Sequence, residues 1–278
     1  MKRKKKQNGG KRTALKRAVR RTAKTSTKQQ KRQKQSKQTK PQKLKASHMK
    51  TNSQLPLPPH FNHQTVGTVY RVDYAGIEAA ALDWRRQHNL PLASQDEKTV
   101  SLLVVDAQNT FCIPGYELYV GGRSGTGAID DNRRLVEFIY RNLGLITLIS
   151  PTMDTHTAMQ IFHRDFFVNA KGEHPAPIAT NPPVNSATIR SGEWQVNPEI
   201  AWSLAMDKSH VAVARQYNAL KQFVLHYCGQ LEKDGKFGLT IWPYHAMLGG
   251  VGHALVSAVE EACFFHNRAR ASQTDFQI

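Results

Sequence analysis

Two short runs of large apolar and β-branched residues, TVSLLVVD at 99–106 and LITLIS at 145–150, constrain this chain more than any other feature. Neither alternates with polar residues, and that pattern marks a strand buried on both faces of a parallel sheet. Between them come a glycine-rich loop at 112–129 and a helical pattern running to about residue 142. Asp130 and Asp131 are placed to cap that helix, with Leu135, Phe138 and Ile139 at helical spacing. Parallel strands cannot be joined by a tight turn, so strand, helix and strand together specify a βαβ unit, right-handed by the general rule.

The flanking sequence extends this frame. Residues 51–62 are proline-rich and extended, and 74–88 read as a helix whose apolar face is Ala79, Ala80, Ala81 and Trp84, stopped by Pro91. Residues 164–207 are rich in Pro, Asn and Gly and read as irregular. A helix is expected at 211–231, a third strand at 238–243 (GLTIWP), a further helix at 252–268, and the start of another strand in the final TDFQI. The organisation expected is a segment at 1–50, an extended piece plus helix at 51–98, and a parallel α/β domain at 99–278 with an insert at about 164–237.

Charge separates the first segment from the rest. Residues 1–50 hold 21 of the 39 Lys+Arg and no acid, which leaves 18 basic against 21 acidic side chains elsewhere. The net charge of +18 therefore belongs wholly to those 50 residues. They contain no aromatic and few aliphatic side chains, too little apolar surface to offset the entropy of ordering, so the segment is expected to be disordered. Its chemistry suits non-specific, salt-dependent binding to nucleic-acid phosphates or anionic lipid heads. No run of about 18 apolar residues is present, and the basic N-terminus lacks the apolar core of a secretory signal. Three scattered thiols, Cys112, Cys228 and Cys263, point to a reducing compartment rather than a disulfide framework. The reading is a soluble, cytoplasmic protein.

Open α/β sheets bind ligands at the carboxyl ends of their strands. Asp106 closes the first run, Asp154 and His156 follow the second, and His245 follows GLTIWP. One carboxylate and two imidazoles form a reasonable ligand set for Zn²⁺ or Fe²⁺ with positions left open. By spacing alone, an Asp-x-His in a loop is more often a surface cap than a ligand.

Taken in order, LLVVDAQNTFC, TMDTHTAMQIFH and WPYH resemble the isochorismatase-like cysteine hydrolases, particularly the nicotinamidase branch, from about residue 99 to the last residue. The resemblance implies an α/β fold with a parallel sheet in a three-layer αβα arrangement of Rossmann-like topology. It implies Asp106 as catalytic acid/base, and Asp154, His156 and His245 as ligands of a divalent metal, Zn or Fe. His163 matches a histidine that lies near the metal and binds it in some members, while Phe111 and Trp242 would line the substrate pocket. The reaction implied is hydrolysis of a small-molecule carboxamide by a cysteine thiolate, since the thiolate is the competent nucleophile. A lysine beside it would lower the thiol pKa and stabilise developing negative charge. A metal-free isochorismatase acting on a vinyl ether is disfavoured by the three metal-type residues.

Two parts of that machinery lack counterparts here. The family's lysine follows the third motif on a later strand, and its nucleophilic cysteine lies beyond that at a strand-to-helix turn. Cys112 falls in the loop after Asp106, and Cys228 and Cys263 fall within expected helices, where buried thiols are inert. The chain is therefore expected to be a C-terminally incomplete hydrolase, inactive by itself, whose cut sheet edge favours homo-oligomers. The insert, far longer than in small nicotinamidases, is expected to act as a lid or extra wall over the metal. The alternative reading is a non-catalytic α/β domain with a polybasic segment for nucleic acid or membrane.

Overall fold

The computed structural model describes residues 54–205 and 207–278, so the basic segment expected to be disordered lies outside the described residues. Ser53–Ile278 form one compact unit. It is a mixed α/β structure with a parallel two-stranded sheet, built of β1 (Ser101–Val104) and β2 (Leu148–Pro151). Leu102 pairs with Ile149 and Val104 with Pro151, so the two expected strands are neighbours in register.

The helix before β1, α1 (Tyr74–His88), has the expected bounds because both ends are capped. The Asp73 carboxylate accepts from the Gly76 N–H, and Asn89 closes the helix in the left-handed region at φ 51°. Its buried stripe is Ile77, Ala81 and Trp84, spaced by four and three residues. After β1 comes a single turn of helix, α2 (Asn109–Cys112), and then α3 (Gly127–Arg141). The latter starts earlier than expected, with Thr126 and not Asp130 or Asp131 at its cap position. Asp130 instead accepts from the Thr126 hydroxyl and pairs with Arg133. The buried face of α3 is Asn132, Val136, Ile139 and Tyr140, which rotates Phe138 outward to 46 % exposure.

Within this first core, Val104 and Ile149 of the sheet join Trp84, Tyr140 and Phe265, from α1, α3 and a later helix. Those helices pack on one another and on one face of the sheet. The other face is uncovered among the described residues: Leu103 is 60 % and Val105 65 % exposed. The expectation that 99–106 is buried on both faces is therefore wrong here, because an apolar run reports β-propensity on both faces but not which layers are present to cover them.

Residues 164–207 are also more ordered than expected. They contain β3 (Phe167–Val168), α4 (Ser186–Ser191), β4 (Gln195–Val196), antiparallel to β3, and α5 (Pro198–Leu204), with caps from Asn185 and Asn197. These pack on α6 (His210–Glu232), whose buried stripe is Val213, Leu220, Val224 and Cys228. Phe166, Trp194 and Ile241 complete a second core. The proline and asparagine content that read as irregularity serves as caps between short elements.

The third strand is misplaced by the sequence reading. Residues 238–243 form no strand; Trp242 makes only an isolated bridge to His163, its N–H donating to the Phe162 carbonyl at 2.8 Å. The residues that hydrogen-bond along β2 are instead the last ones. The Asp275 N–H donates to the Ile149 carbonyl, the Gln277 N–H to that of Pro151, and the Met153 N–H to that of Gln277. The strand expected to begin at TDFQI does not form; Gln277 makes a single parallel bridge to Thr152, which places these residues beside the end of β2.

The last helix is α7 (Ser257–Arg270), preceded by a short 3-10 turn at Val251–His253. It packs against both α1 and α3. His266 on α7 is fully buried, its Nε2–H donating to the Ile146 carbonyl while Nδ1 has no partner. Burial holds its pKa below the ordinary imidazole value, with the Arg270 charge adding to the effect. A base whose folded pKa is depressed contributes stability that is present above its unfolded value of ~6.5 and is lost as pH falls below it. The urea midpoint is accordingly expected to be flat from pH 8 to about 6.5 and to fall below that, less steeply in His266→Gln. An identical fall in the variant would assign the loss to other groups. No helix among the described residues is long and apolar enough to cross a membrane.

Candidate metal centre

The chain beyond β2 still pairs with residues 275–277 as far as Met153 and then turns at Asp154. What holds that turn is Gln108, four residues past β1 and fully buried. Its Oε1 accepts from the Asp154 N–H and its Nε2 donates to the Asp154 carbonyl, each at 2.8 Å. The same Nε2 donates to the His253 carbonyl at 2.9 Å. One amide thereby ties the end of β1, the Asp154 loop and the segment before α7 together.

His156 is fixed by a strand-like exchange with residues 246–248: its N–H donates to the Ala246 carbonyl at 3.1 Å, and its carbonyl accepts from Leu248 at 2.9 Å. That pairing brings His245 alongside, so the three expected ligands converge. Their donor atoms lie within 4.8 Å of one another. His156 Nε2 is 2.8 Å from Asp154 Oδ1 and His245 Nε2 is 3.2 Å from Oδ2.

The hydrogen bonding around the triad fits a cation. His245 Nδ1 lies 2.8 Å from the Pro243 carbonyl, which only accepts, so Nδ1 carries the hydrogen. In neutral His245 the Nε2 lone pair therefore faces a carboxylate oxygen, two acceptors opposed, and a shared cation resolves that opposition. Histidine ligands of metals commonly donate their other N–H to a backbone carbonyl in this way. His163 repeats the arrangement. It is fully buried, its Nδ1–H donates to the Ala158 carbonyl at 3.1 Å, and its Nε2 is buried without a partner. Its ring centroid is 5.8 Å from His156 and 6.4 Å from His245, so it stands next to the triad without joining it. Burial lowers its pKa, which keeps the ring neutral.

The triad sits at a pocket of about 510 Å³ whose other walls are Phe111, Leu118, Val120, Phe162 and Trp242. The two expected pocket residues, Phe111 and Trp242, both line it and both approach the His245 ring, at 5.9 and 6.1 Å between centroids. Asp106 is half-buried, with a left-handed φ of 48°, and its carboxylate accepts from the Thr152 hydroxyl at 2.6 Å. It does not line the pocket. Nor does any residue of 164–237, so the insert is not the expected lid; it contributes only by bringing Phe162 and Trp242 together at its two ends.

None of the cysteines offers a ready thiolate. All three are buried, Cys112 with its thiol pKa raised by burial, Cys228 pushed up to about 11 and Cys263 to about 12.

Gln108, Leu118, Val120 and Phe162 had no assigned role in the sequence. The partners of Gln108 are backbone groups 46 and 145 positions away, and no local pattern announces them. Replacing Gln108 by Met, which keeps volume and removes the clamp, is expected to weaken metal binding by about 10–100-fold, the scale of outer-shell losses. A zinc titration checks this, and unchanged affinity would show that the loop is held without the amide. Comparison with family models, with characterised proteins and with solved structures finds no match to this chain.

Proposed function

We propose that this site serves a metal-assisted cysteine hydrolase of carboxamides, of nicotinamidase type, on an isochorismatase-like three-layer αβα fold. The observation that carries the reading is the meeting of Asp154, His156 and His245 at one apolar pocket. These residues would hold Zn²⁺ or Fe²⁺, with His163 adjacent, and the ion would supply a Lewis-acidic point that orients a substrate. Phe111 and Trp242 would hold its apolar part. Asp106 is the proposed acid/base for moving a proton between thiol and leaving ammonia. Because Cys112, Cys228 and Cys263 are buried and held as thiols, residues 1–278 alone are expected to bind an amide without turning it over.

A homo-oligomer and a cytoplasmic location are part of the same proposal, the former supported by the uncovered apolar side chains Leu103 and Val105. The charge partition favours a second reading, a non-catalytic domain whose residues 1–50 bind nucleic acid or anionic membrane. Retention that falls steeply with salt and disappears on changing those Lys and Arg to Gln would support it.

The test is equilibrium dialysis of the 278-residue chain against Zn²⁺ and Fe²⁺, followed by titration with nicotinamide or benzamide before and after chelation. One ion per chain is expected, with amide binding that weakens once the ion is removed. A chain that takes up no ion, or binds amides equally without it, overturns the reading.

A further inference from the structure

The pocket says more about the ligand than the triad does. Its polar chemistry is confined to Asp154, His156 and His245; the rest of its wall is Phe111, Leu118, Val120, Phe162 and Trp242. A volume of about 510 Å³ lies within the ~300–1,000 Å³ that accommodates a drug-sized ligand. It is several times what a one-ring carboxamide fills. The apolar surface also continues to the rim, where Val120 is 57 % and Trp242 38 % exposed. Leu248, hydrogen-bonded through its N–H to the His156 carbonyl, is 61 % exposed beside the metal loop. Apolar side chains exposed around an apolar cavity are most stable when a ligand covers them.

Building on the carboxamide-hydrolase reading of this same site, we propose that the ligand is a primary carboxamide with an extended apolar acyl part. Its amide lies at the triad and its apolar part runs along Leu118 and Val120 toward the rim at Trp242. A small ring amide leaves most of that wall against water. Each methylene that replaces the water strengthens binding by about fourfold.

Calorimetric titration of the full chain, supplied with Zn²⁺, uses acetamide, butanamide, hexanamide and octanamide, with benzamide and the 1-alkanols of matching length alongside. The dissociation constant is expected to fall about 16-fold for each two carbons added, and the amides are expected to bind more tightly than the alkanols. Val120→Asp, at an exposed position that leaves folding intact, is expected to flatten the dependence on length. A flat amide series with benzamide still bound overturns this inference and leaves the amidase reading standing. Alkanols that match the amides at every length overturn the amide head, and with it both this proposal and the reading beneath it.

Discussion

Asp154→Asn and His245→Ala are each expected to remove metal binding from the folded chain, with a loss of at least the ~100-fold that outer-shell changes reach. The reason lies in how the carboxylate is used. Both its oxygens face His156 Nε2, at 2.8 and 2.9 Å, and Oδ2 is also 3.2 Å from His245 Nε2. Asparagine keeps the shape of Asp154 and discards the charge that would balance a cation. Alanine at 245 removes a donor already oriented by the Pro243 carbonyl. His163→Ala provides the contrast. Its Nε2 is unpartnered and adjacent, so a smaller loss is expected, and a loss equal to that of His245→Ala would promote it to a fourth ligand. Dialysis with elemental analysis, together with circular dichroism to confirm folding, decides among these outcomes.

Arg270→Met is expected to destabilise the chain by about 3–5 kcal/mol, the range for removing one partner of a buried ion pair. Arg270 has no exposed surface. Its guanidinium pairs with Asp96 at 2.6 Å and also donates to the carbonyls of Leu143 and Ile146. Those contacts fasten the end of α7 to the turn that leads into β2 and to the segment ahead of β1. Without the guanidinium, the carboxylate of Asp96, 12 % exposed, is left with the Thr147 hydroxyl. The double variant Arg270→Met with Asp96→Leu is expected to recover part of the loss, because no unpaired charge is left behind. Urea unfolding measures both. A loss under about 1 kcal/mol in the single variant would show that solvent screens the pair and that it is not holding the fold.

The chain's own residues determine its local elements, and they do so because the signals are local. Caps at Asp73 and Asn89 bound α1 where the sequence places it, the two apolar runs become paired strands, and the Asp-x-His and the later histidine are visible as donors. Pairing between distant segments has no such signature. Residues 275–277 and not 238–243 lie beside β2, and a stretch that reads as irregular closes a second core around Trp194 and Ile241. Which face of β1 is covered depends on where α1, α3 and α7 pack, so Leu103 and Val105 are exposed despite their composition. The site follows the same division. The sequence supplies the three candidate ligands. Only tertiary structure supplies the Gln108 clamp and the apolar wall of Leu118, Val120 and Phe162, because these roles consist of contacts with residues far away along the chain.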